Sequence, residues 1–427
     1  MFSKRRVDAL VAGAGPVGMI AALTLARNGV DTTIVDGERR ACTSRNNLII
    51  HPQTLQLLDR LGFAERVIES GYRINTVLLY DDTQPRETVE LNSLPIAFPY
   101  AISISQSDLE YVLEDELSQA GVQILWDHRV SSLEHDEQGV YVEVDRYGDR
   151  GTGYAVSHTE RTIERTFHYQ TKLLIAADGY NSLIRRFTHR KSALLGQDQY
   201  FVFFEFETDM DPNHAMRLSI HNDLATAQYP MLDGMARLAF QFEGLTLPSE
   251  NRNKERSLLP DREQVPELLD DQHFKELIDR RVPWITGYIN RIRYRAAVPF
   301  EKRYLIDPYQ DRIFFIGDAA RQFGPLGSLS LNLGMQEAET VACEFTRVQE
   351  WAKEGQLRLR ELGRDMTAHW VNMADMDKNS TPIDMSDLWI ARNRARILRA
   401  LPATGHALEK LASQMFIHLK LGELAEA

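Results

Sequence analysis

The chain of 427 residues has few cysteines, no long hydrophobic run and no excess of basic charge. Its two cysteines, Cys42 and Cys343, are too few for a disulfide framework or a structural zinc site. We therefore expect no metal site, and two reduced, buried thiols in a reducing, cytoplasmic setting. No stretch of about 18 apolar residues occurs, which predicts no membrane span. The formal charge of −12 disfavours nucleic-acid binding, because phosphate contacts require excess Lys and Arg.

What the sequence does contain is typical of a globular protein. Hydrophobic residues make up 43% and charged residues 26%, and the length suits about three domain-sized units. An apolar run at Val7–Ala12, a helical pattern at Pro16–Asn28 and a β-branched run at Asp31–Val35 predict a βαβ unit. Such units form parallel sheets that helices cover on both faces.

The pattern changes near Gln199. Short aromatic runs that alternate with polar residues continue to about Arg295 and predict an antiparallel sheet. A strand at Arg312–Ile316 and a long helix from near Gly334 then return to the α/β pattern. The α/β part therefore continues on both sides of a β-rich insertion.

Gly13, Gly15 and Gly18 follow the first predicted strand and open the first helix. In such a fingerprint the first glycine permits a tight turn, the second lets backbone approach a pyrophosphate, and the third lets helix and strand pack closely. Asp36 ends the next strand, where a carboxylate accepts from a ribose hydroxyl. A glycine-rich turn with a chance acidic residue is the alternative, and the motif alone does not separate FAD from NAD.

Two more motifs follow predicted strands. Residues 177–185 read Ala-Asp-Gly-Tyr-Asn-Ser-Leu-Ile-Arg, and residues 317–320 read Gly-Asp-Ala-Ala before a loop with proline and glycine. Residues 332–338, Asn-Leu-Gly-Met-Gln-Glu-Ala, then open the long helix. Either turn alone is common, so the order of the three motifs along the chain carries the information.

With these motifs the chain resembles the FAD-dependent aromatic hydroxylases of the para-hydroxybenzoate hydroxylase type, the single-component flavoprotein monooxygenases. The resemblance covers roughly residues 7–345. It implies FAD as cofactor, NAD(P)H as transient reductant, and a C4a-hydroperoxyflavin that transfers oxygen from O2 to an aromatic or polycyclic, secondary-metabolite-like substrate. The sequence has no second strand–glycine–helix motif for a nicotinamide domain. Transient docking of NAD(P)H fits that pattern, and so does a separate flavin reductase.

The resemblance also implies cofactor contacts. Asp318 would touch the ribityl chain, Asp178 the flavin, and Val130 the adenine. Arg45 and Gln106 would hold ribose, phosphate or ribityl groups, although a surface arginine is the alternative for Arg45. The helix near Gly334 would direct its positive N-terminal end at the flavin N1–C2=O edge. The full predicted set is Gly13, Gly15, Pro16, Val17, Gly18, Asp36, Arg45, Gln106, Val130, Asp178, Gly317, Asp318, Pro325, Gly327, Leu331 and Asn332.

Two departures from the family pattern are expected beside the flavin ring. Residues 327–330 read Gly-Ser-Leu-Ser where many relatives have a Gly-Gly-Gln-Gly-like loop, and Arg321 replaces a usual histidine. FAD binding should survive them. An epoxidase or reductase of the same fold, or a flavoprotein that binds a metabolite without turnover, remain alternatives. We also expect Arg45, Arg185 and Arg321 to line the cleft that receives the anionic cofactors.

The substrate is expected between the flavin and the aromatic sheet. Tyr200, Arg217, His221, Tyr229 and Gln241 are predicted to face inward, and His221, Arg217 and Tyr229 are the candidate catalytic residues. A structural or exposed position is the alternative for each. Only His221 has an ordinary pKa suited to a general base. So few polar candidates favour a mostly apolar substrate.

The predicted fold is therefore α/β, with a discontinuous Rossmann-like FAD-binding domain and an inserted antiparallel β-sheet substrate domain. The first comprises residues 1–75, 101–198 and 296–383, and the second residues 76–100 and 199–295. Residues 384–427 form a C-terminal helical region, interpreted as a cap over the active site or a homodimer contact rather than a membrane-surface helix.

Overall fold

A computed structural model describes residues 4–40, 46–152, 158–196, 199–243, 269–285, 287–347, 353–376, 378–384 and 386–421. The predicted cofactor contact Arg45 and the thiol Cys42 lie outside the described residues. Cys343 is a free thiol and only partly buried.

A central sheet of eight strands carries the first motif. Its strands are β1 (Arg5–Ala12), β2 (Thr32–Val35), β8 (Ile124–Leu125), β9 (His128–His135), β10 (Val140–Thr152), β11 (His158–Ala176), β19 (Tyr309–Gln310) and β20 (Ile313–Phe315). The order is β19–β20–β11–β1–β2–β8, and β10 and β9 extend the sheet from β11. The pairs from β20 through β8 are parallel, as the βαβ pattern predicts.

The helices are α1 (Pro16–Arg27), α2 (Pro52–Arg60), α3 (Ala64–Glu69), α4 (Gln106–Gln119), α5 (Leu183–Phe187), α6 (Asp271–Arg281), α7 (Leu329–Arg347), α8 (Lys353–Ala374), α9 (Leu388–Ala400) and α10 (Gly405–Gln414). Helix α1 begins at Pro16, since proline lacks the N–H that a first helical turn leaves unpaired. Helix α7 begins at Leu329, so the predicted start near Gly334 is wrong. Gly334 lies in the second turn of α7, where the absence of a side chain lets the helix pack closely on Val17 of α1.

A second sheet of seven strands, the insertion sheet, has the order β17–β13–β16–β15–β14–β5–β6. Its strands are β5 (Thr76–Asp81), β6 (Gln84–Glu90), β13 (Gln199–Thr208), β14 (Ala215–His221), β15 (Leu224–Pro230), β16 (Met235–Glu243) and β17 (Ile289–Phe300). Its pairs are antiparallel, as predicted, except that β14 and β5 are parallel. The exception arises because β5 and β6 come from an earlier part of the chain.

Three small sheets complete the fold. They consist of β3 (Asn47–Ile50), β7 (Ala101–Ser105) and β4 (Tyr72–Ile74), of β12 (Ser192–Leu194), β18 (Arg303–Leu305) and β21 (Arg321–Gln322), and of β22 (Ser380–Pro382) with β23 (Ile417–Leu419). The last pair accompanies α9 and α10 near the C-terminus. None of the helices that the structure describes has the length and apolarity of a membrane span.

Alternation along its strands gives the insertion sheet two faces. Phe203, Leu218 and Tyr229 belong to the same hydrophobic core as the central sheet, and we call their side the near face. Phe204 and Phe240 pack instead with Phe274 of α6 in a separate cluster, and we call that side the far face. The near face is therefore the side that packs into the core shared with the central sheet.

Candidate active site

The three motifs meet at the carboxyl ends of neighbouring parallel strands. The Gly13 N–H donates to the Val35 carbonyl at 2.8 Å, and the Ala177 N–H to the Ala12 carbonyl at 2.8 Å. The Ile316 N–H donates to Ala176 at 3.1 Å, which adds the third strand. Ligands of open α/β sheets bind at this edge.

The first motif forms a cradle of bare backbone. Gly13 has φ +107°, and a Cβ there would lie 2.2 Å from the Ala177 oxygen, while one at Gly18 would lie 1.9 Å from the Gly13 oxygen. A Cβ at Gly15 would meet nothing within 4 Å. Gly13 and Gly18 are thus required for packing, and Gly15 leaves open space at the N-terminus of α1. Free first-turn N–H groups at such a place suit a pyrophosphate.

Asp36 is held beside this cradle. Its Oδ2 accepts from the Ala14 N–H at 2.6 Å, and its Oδ1 from the Glu38 N–H at 2.7 Å. Each carboxylate oxygen accepts more than one hydrogen bond, so the group can still bind a ribose hydroxyl. Val130, the predicted adenine contact, is buried in β9 opposite Val144.

Gln106 opens α4 and is bound within the protein. Its N–H donates to the Asn46 carbonyl at 2.6 Å, and its side-chain amide donates to Glu110 at 2.6 Å. The first bond ties α4 to the residue that follows Arg45. The cofactor contacts predicted for Arg45, Gln106 and Val130 stay predictions.

Asp178 has one bonded and one unbonded oxygen. Its Oδ2 accepts from the Leu183 and Ile184 N–H groups at 2.8 and 3.2 Å, at the start of α5. Its buried Oδ1 has no hydrogen-bond partner among the described residues. Burial raises the pKa of this carboxyl above its usual value. A buried acceptor without a partner is a natural place for a ligand hydroxyl.

Arg185 joins the second motif to the third. Its guanidinium donates to the Ala319 carbonyl at 2.8 Å and to the Tyr180 carbonyl at 2.6 Å, and Arg303 donates to the same Tyr180 oxygen. Burial, followed by the charge of Arg303, lowers the pKa of Arg185 to about 10. Arg185 is half-buried and joins the loops of the second and third motifs, and its predicted place in the cleft stays a prediction.

Val17 connects the first and third motifs. A Cβ at Gly317, where φ is +59°, would lie 3.1 Å from a Val17 methyl carbon, and one at Gly334 would lie 2.8 Å from the other. The Val17 side chain therefore fills a notch between two glycines. Asp318, next to Gly317, stays partly exposed and accepts a long 3.4 Å hydrogen bond from Gln322.

The loop before α7 is bonded to β3. Asn332 is fully buried, accepts from the His51 N–H at 2.8 Å, and donates to the Ile49 and Ser328 carbonyls at 2.7 and 2.9 Å. Its side chain thus bonds within the protein, and its predicted cofactor contact stays a prediction. The Ser328 hydroxyl accepts from Ile49, so this departure from the family pattern also points toward β3.

His51 is a buried residue of this region that the motifs did not indicate. Its Nε2 lies 2.5 Å from the Gly327 carbonyl oxygen, which identifies Nε2 as the protonated nitrogen, and its Nδ1 has no partner among the described residues. Burial lowers the pKa of His51 to about 4. The available signal was the position before Pro52, which marks a helix start.

Arg321 does not line a cleft, so that expectation is wrong. It is completely buried, and its Nε lies 2.8 Å from Oε1 of Glu337, which is also completely buried. Trp370 donates to the same oxygen at 2.7 Å, and Arg321 donates to the Ser330 carbonyl at 3.1 Å. A buried carboxylate in α7 requires a counter-charge, and Arg321 supplies it.

The five candidate substrate contacts divide between the two faces. By strand alternation Tyr229 and Gln241 lie on the near face, while Tyr200, Arg217 and His221 lie on the far face. His221 contacts Asp82 at the sheet edge, and its side chain is 29% exposed. Tyr200, Arg217 and His221 therefore do not face inward as expected, and a substrate or catalytic role for them stays a prediction. Alternation shows which residues share a face, but not which face meets the cofactor.

The near face carries a row of polar side chains in directly opposed positions, which we call the near-face row: Tyr294, Glu205, Arg237 and Tyr229. The Arg237 guanidinium lies 3.1 Å from Glu205 Oε1, and these side chains are 7% and 1% exposed. Sequence reasoning missed this pair because Glu205 sits within an aromatic run that predicts only a buried strand.

A cavity of about 510 Å³ lies elsewhere, between α6 and the start of β17. Phe274, Ile278 and Arg295 are among its lining residues. It opens on the far side of the insertion sheet, so it is separate from the place where the motifs meet.

The family model described as FAD binding domain matches residues 6–373. Pentachlorophenol 4-monooxygenase from Sphingobium chlorophenolicum is 24% identical over 80% of this chain and 58% of its own length. Para-nitrophenol 4-monooxygenase from Pseudomonas sp. (strain WBC-3) is 24% identical over 78% of this chain and 76% of its own length. The chain thus spans less than two thirds of the former relative.

Solved structures share the fold. The p-nitrophenol 4-monooxygenase PnpA from Pseudomonas putida DLL-E4 aligns with a TM-score of 0.69 at 17% identity, over 96% of this chain and 93% of that one. Aklavinone-11 hydroxylase in complex with FAD and aklavinone aligns with a TM-score of 0.65 at 20% identity, over 95% and 73%. The relatives named above are aromatic-compound monooxygenases, and the chain belongs to the FAD binding domain family.

Proposed function

We propose that this protein is an NAD(P)H-consuming FAD monooxygenase that hydroxylates an aromatic or polycyclic substrate. The observation that carries the proposal is the convergence of three motifs on an open backbone cradle, within the hydrophobic core that also includes the aromatic near face. The names of its relatives support it, since they include phenol monooxygenases and 6-methylpretetramide 4-monooxygenase from Streptomyces rimosus.

The residues present fit FAD. The open space at Gly15 and the N-terminus of α1 would hold the pyrophosphate, and Asp36 a ribose hydroxyl. The unpaired Oδ1 of Asp178 and the partly exposed carboxylate of Asp318 would accept from hydroxyl groups of the ribityl chain. Bound FAD, reduced by NAD(P)H, would supply the electrons that activate O2 for oxygen insertion.

The near face would orient the substrate and exclude water. Phe201 and Phe203 are more than nine-tenths buried there, beside Arg237. Burial raises the pKa of Tyr229 to about 12, although the backbone of Gly327 opposes this shift. Tyr229 therefore serves as a hydrogen-bonding group and not as a base near neutral pH.

Four finer statements belong to the same proposal. The predicted domain boundaries and the cytoplasmic location are part of it. So is the C-terminal region as a cap, supported by the 2.8 Å approach of the Ala400 carbonyl to the Cβ position of Gly327. NAD(P)H would dock transiently, because only one dinucleotide fingerprint occurs in the sequence.

The first experiment is to purify the protein, record its visible spectrum, and identify the released flavin. We expect the released flavin to be FAD, and phenolic or polycyclic substrates to accelerate NAD(P)H oxidation. In the presence of oxygen-18 gas, the product should contain one labelled oxygen atom. A colourless protein that takes up no FAD would contradict the whole proposal. Accelerated NAD(P)H oxidation without label in the product would indicate a reductase instead.

A further inference from the structure

The near-face row contains a charge pair that the chemistry above does not use. Glu205 and Arg237 are both more than nine-tenths buried, and their charges cancel at 3.1 Å. The guanidinium carbon of Arg237 lies 4.3 Å from the ring centre of Phe203, which supports the planar group from one side. Burying two charges away from water costs free energy, so we interpret this buried ion pair as a functional feature of the near face.

Both ends of the row touch the segments where the cofactor is expected. At one end the Tyr294 hydroxyl donates to Asn46 Oδ1 at 3.3 Å, next to the predicted contact Arg45. At the other end Tyr229 faces the backbone of Gly327, in the loop before α7. A ring bound between the sheet and these segments would therefore face Glu205 and Arg237.

From this arrangement we propose that Glu205 neutralises Arg237, so that the site selects aromatic rings whose sheet-facing substituent is uncharged and rejects carboxylates. The inference rests on the proposed function and adds a substrate class to it. Arg237 alone would be a strong, bidentate receptor for a carboxylate. With Glu205 in place, a second carboxylate would enter a buried site that already holds one, and would be repelled.

The Tyr229 hydroxyl gives the uncharged group a partner. It is buried and has no hydrogen-bond partner of good geometry among the described residues. A hydroxyl, carbonyl or amide on the substrate would complete its hydrogen bonding without adding charge. The row thus offers a neutral, polar recognition surface within an otherwise apolar face.

The test compares two ligands of nearly the same shape, 4-hydroxybenzamide and 4-hydroxybenzoate. Each is titrated into the FAD-loaded protein, and the Kd is taken from the change in flavin absorbance. We expect the wild-type protein to bind the amide at least tenfold more tightly. In Glu205→Gln we expect the preference to reverse, because the carboxylate then replaces the missing partner of Arg237.

Thermal unfolding supplies a second readout. The benzoate should raise the Tm of Glu205→Gln more than the amide does, because its carboxylate replaces the counter-charge that Arg237 loses in this variant. The double variant Glu205→Gln with Arg237→Met carries no buried charge at the pair, and it should again prefer the amide. Arg217→Gln is the matched control: Arg217 is buried on the far face, so its loss should leave the ligand preference unchanged.

Three results would overturn the inference. These are a wild-type protein that binds the benzoate as tightly as the amide, one that binds neither ligand, or a Glu205→Gln protein with the wild-type preference. If Glu205→Gln does not fold, the wild-type titration still decides whether the site rejects the carboxylate. The titrations need bound FAD but no turnover, so a loss of selectivity is distinguishable from a failure of the proposed monooxygenase activity.

Discussion

The cofactor cradle and the near face of the insertion sheet contribute to the same hydrophobic core but are built differently. In the cradle, Gly13 and Gly18 bring backbone against backbone, and Gly15 leaves space where a side chain would stand. On the near face, recognition depends on side chains, above all the buried pair of Glu205 and Arg237. The cradle thus suits the pyrophosphate, which is the same in every cofactor molecule. The sheet suits chemical groups that differ between substrates.

This difference separates what substitutions can do in each region. A side chain added at Gly13 or Gly18 collides with a carbonyl that cannot move away cheaply. A side chain changed on the sheet alters charge or volume, while the strands keep their backbone hydrogen bonds. Cofactor binding should therefore fail abruptly with substitution, and ligand preference should change by degrees.

The largest effect is expected in the cradle. In Gly13→Ala the new Cβ would lie 2.2 Å from the Ala177 oxygen at a φ of +107°, so no folded FAD-bound protein should be recovered. In Gly15→Ala the Cβ meets no protein atom within 4 Å, so the protein should fold and bind FAD at least tenfold more weakly. Circular dichroism and flavin fluorescence titration measure the two. If both variants fold and bind FAD equally well, or if both fail to fold, the assigned difference between Gly13 and Gly15 is wrong.

The next effect concerns the far face, which is closed by apolar packing. The ring of Phe204 lies 4.2 Å from that of Phe274 and is fully buried. Phe204→Ala should lower the free energy of unfolding by about 3–5 kcal/mol in denaturant titrations and leave the ratio of amide to benzoate affinity unchanged. Phe203→Ala on the near face is the matched variant and should change that ratio, because Phe203 supports Arg237.

A pH effect of about 3 kcal/mol is expected from His51, between cradle and sheet. Burial lowers its pKa from the ordinary 6.5 to about 4, so between these values the unfolded chain binds a proton that the folded protein does not. The stability should be complete above pH 6.5, fall as the pH drops toward 4, and change no further below it. Denaturant unfolding of wild type and His51→Asn at several pH values should show a flatter profile in the variant. Identical profiles would contradict this account.

The smallest effect is expected from His221. Its contact with Asp82 is at the sheet edge, on side chains 29% and 53% exposed, and such pairs contribute at most about 1 kcal/mol. His221→Ala should therefore leave the Tm, the FAD affinity and the rate of substrate-dependent NAD(P)H oxidation nearly unchanged. A large loss of that rate alone would restore His221 as a catalytic candidate.

The cradle could be predicted from sequence because it depends on residue type and on the spacing between residues. Only glycine fits the backbone contacts at Gly13 and Gly18, and the strand and helix around them have clear patterns. The packing of Val17 between two distant glycines was not predicted, although Val17 and Gly317 belong to the predicted set and Gly334 to the motif that opens the long helix. Their contact depends on how α7 crosses α1.

The polar part of the site could be predicted only in part. The sequence places the polar residues His221 and Arg217 in the right strands, but the face they occupy depends on the sheet's position against the core. Arg321 and Glu337 were both within recognised motifs, yet only the fold shows that they neutralise each other. Glu205 and Arg237 lie 32 residues apart and become neighbours through strand register.

The notch that holds Val17 has a consequence for biosynthesis. Val17 lies near the start of the chain, and the two glycines that it contacts, Gly317 and Gly334, lie about 300 residues later. A ribosome that has not yet reached Gly317 has therefore not supplied the contacts between α7 and α1. Tight capture of the cofactor must wait until α7 has emerged, so nascent chains arrested before Gly317 should hold FAD weakly, and those released after α7 should hold it firmly.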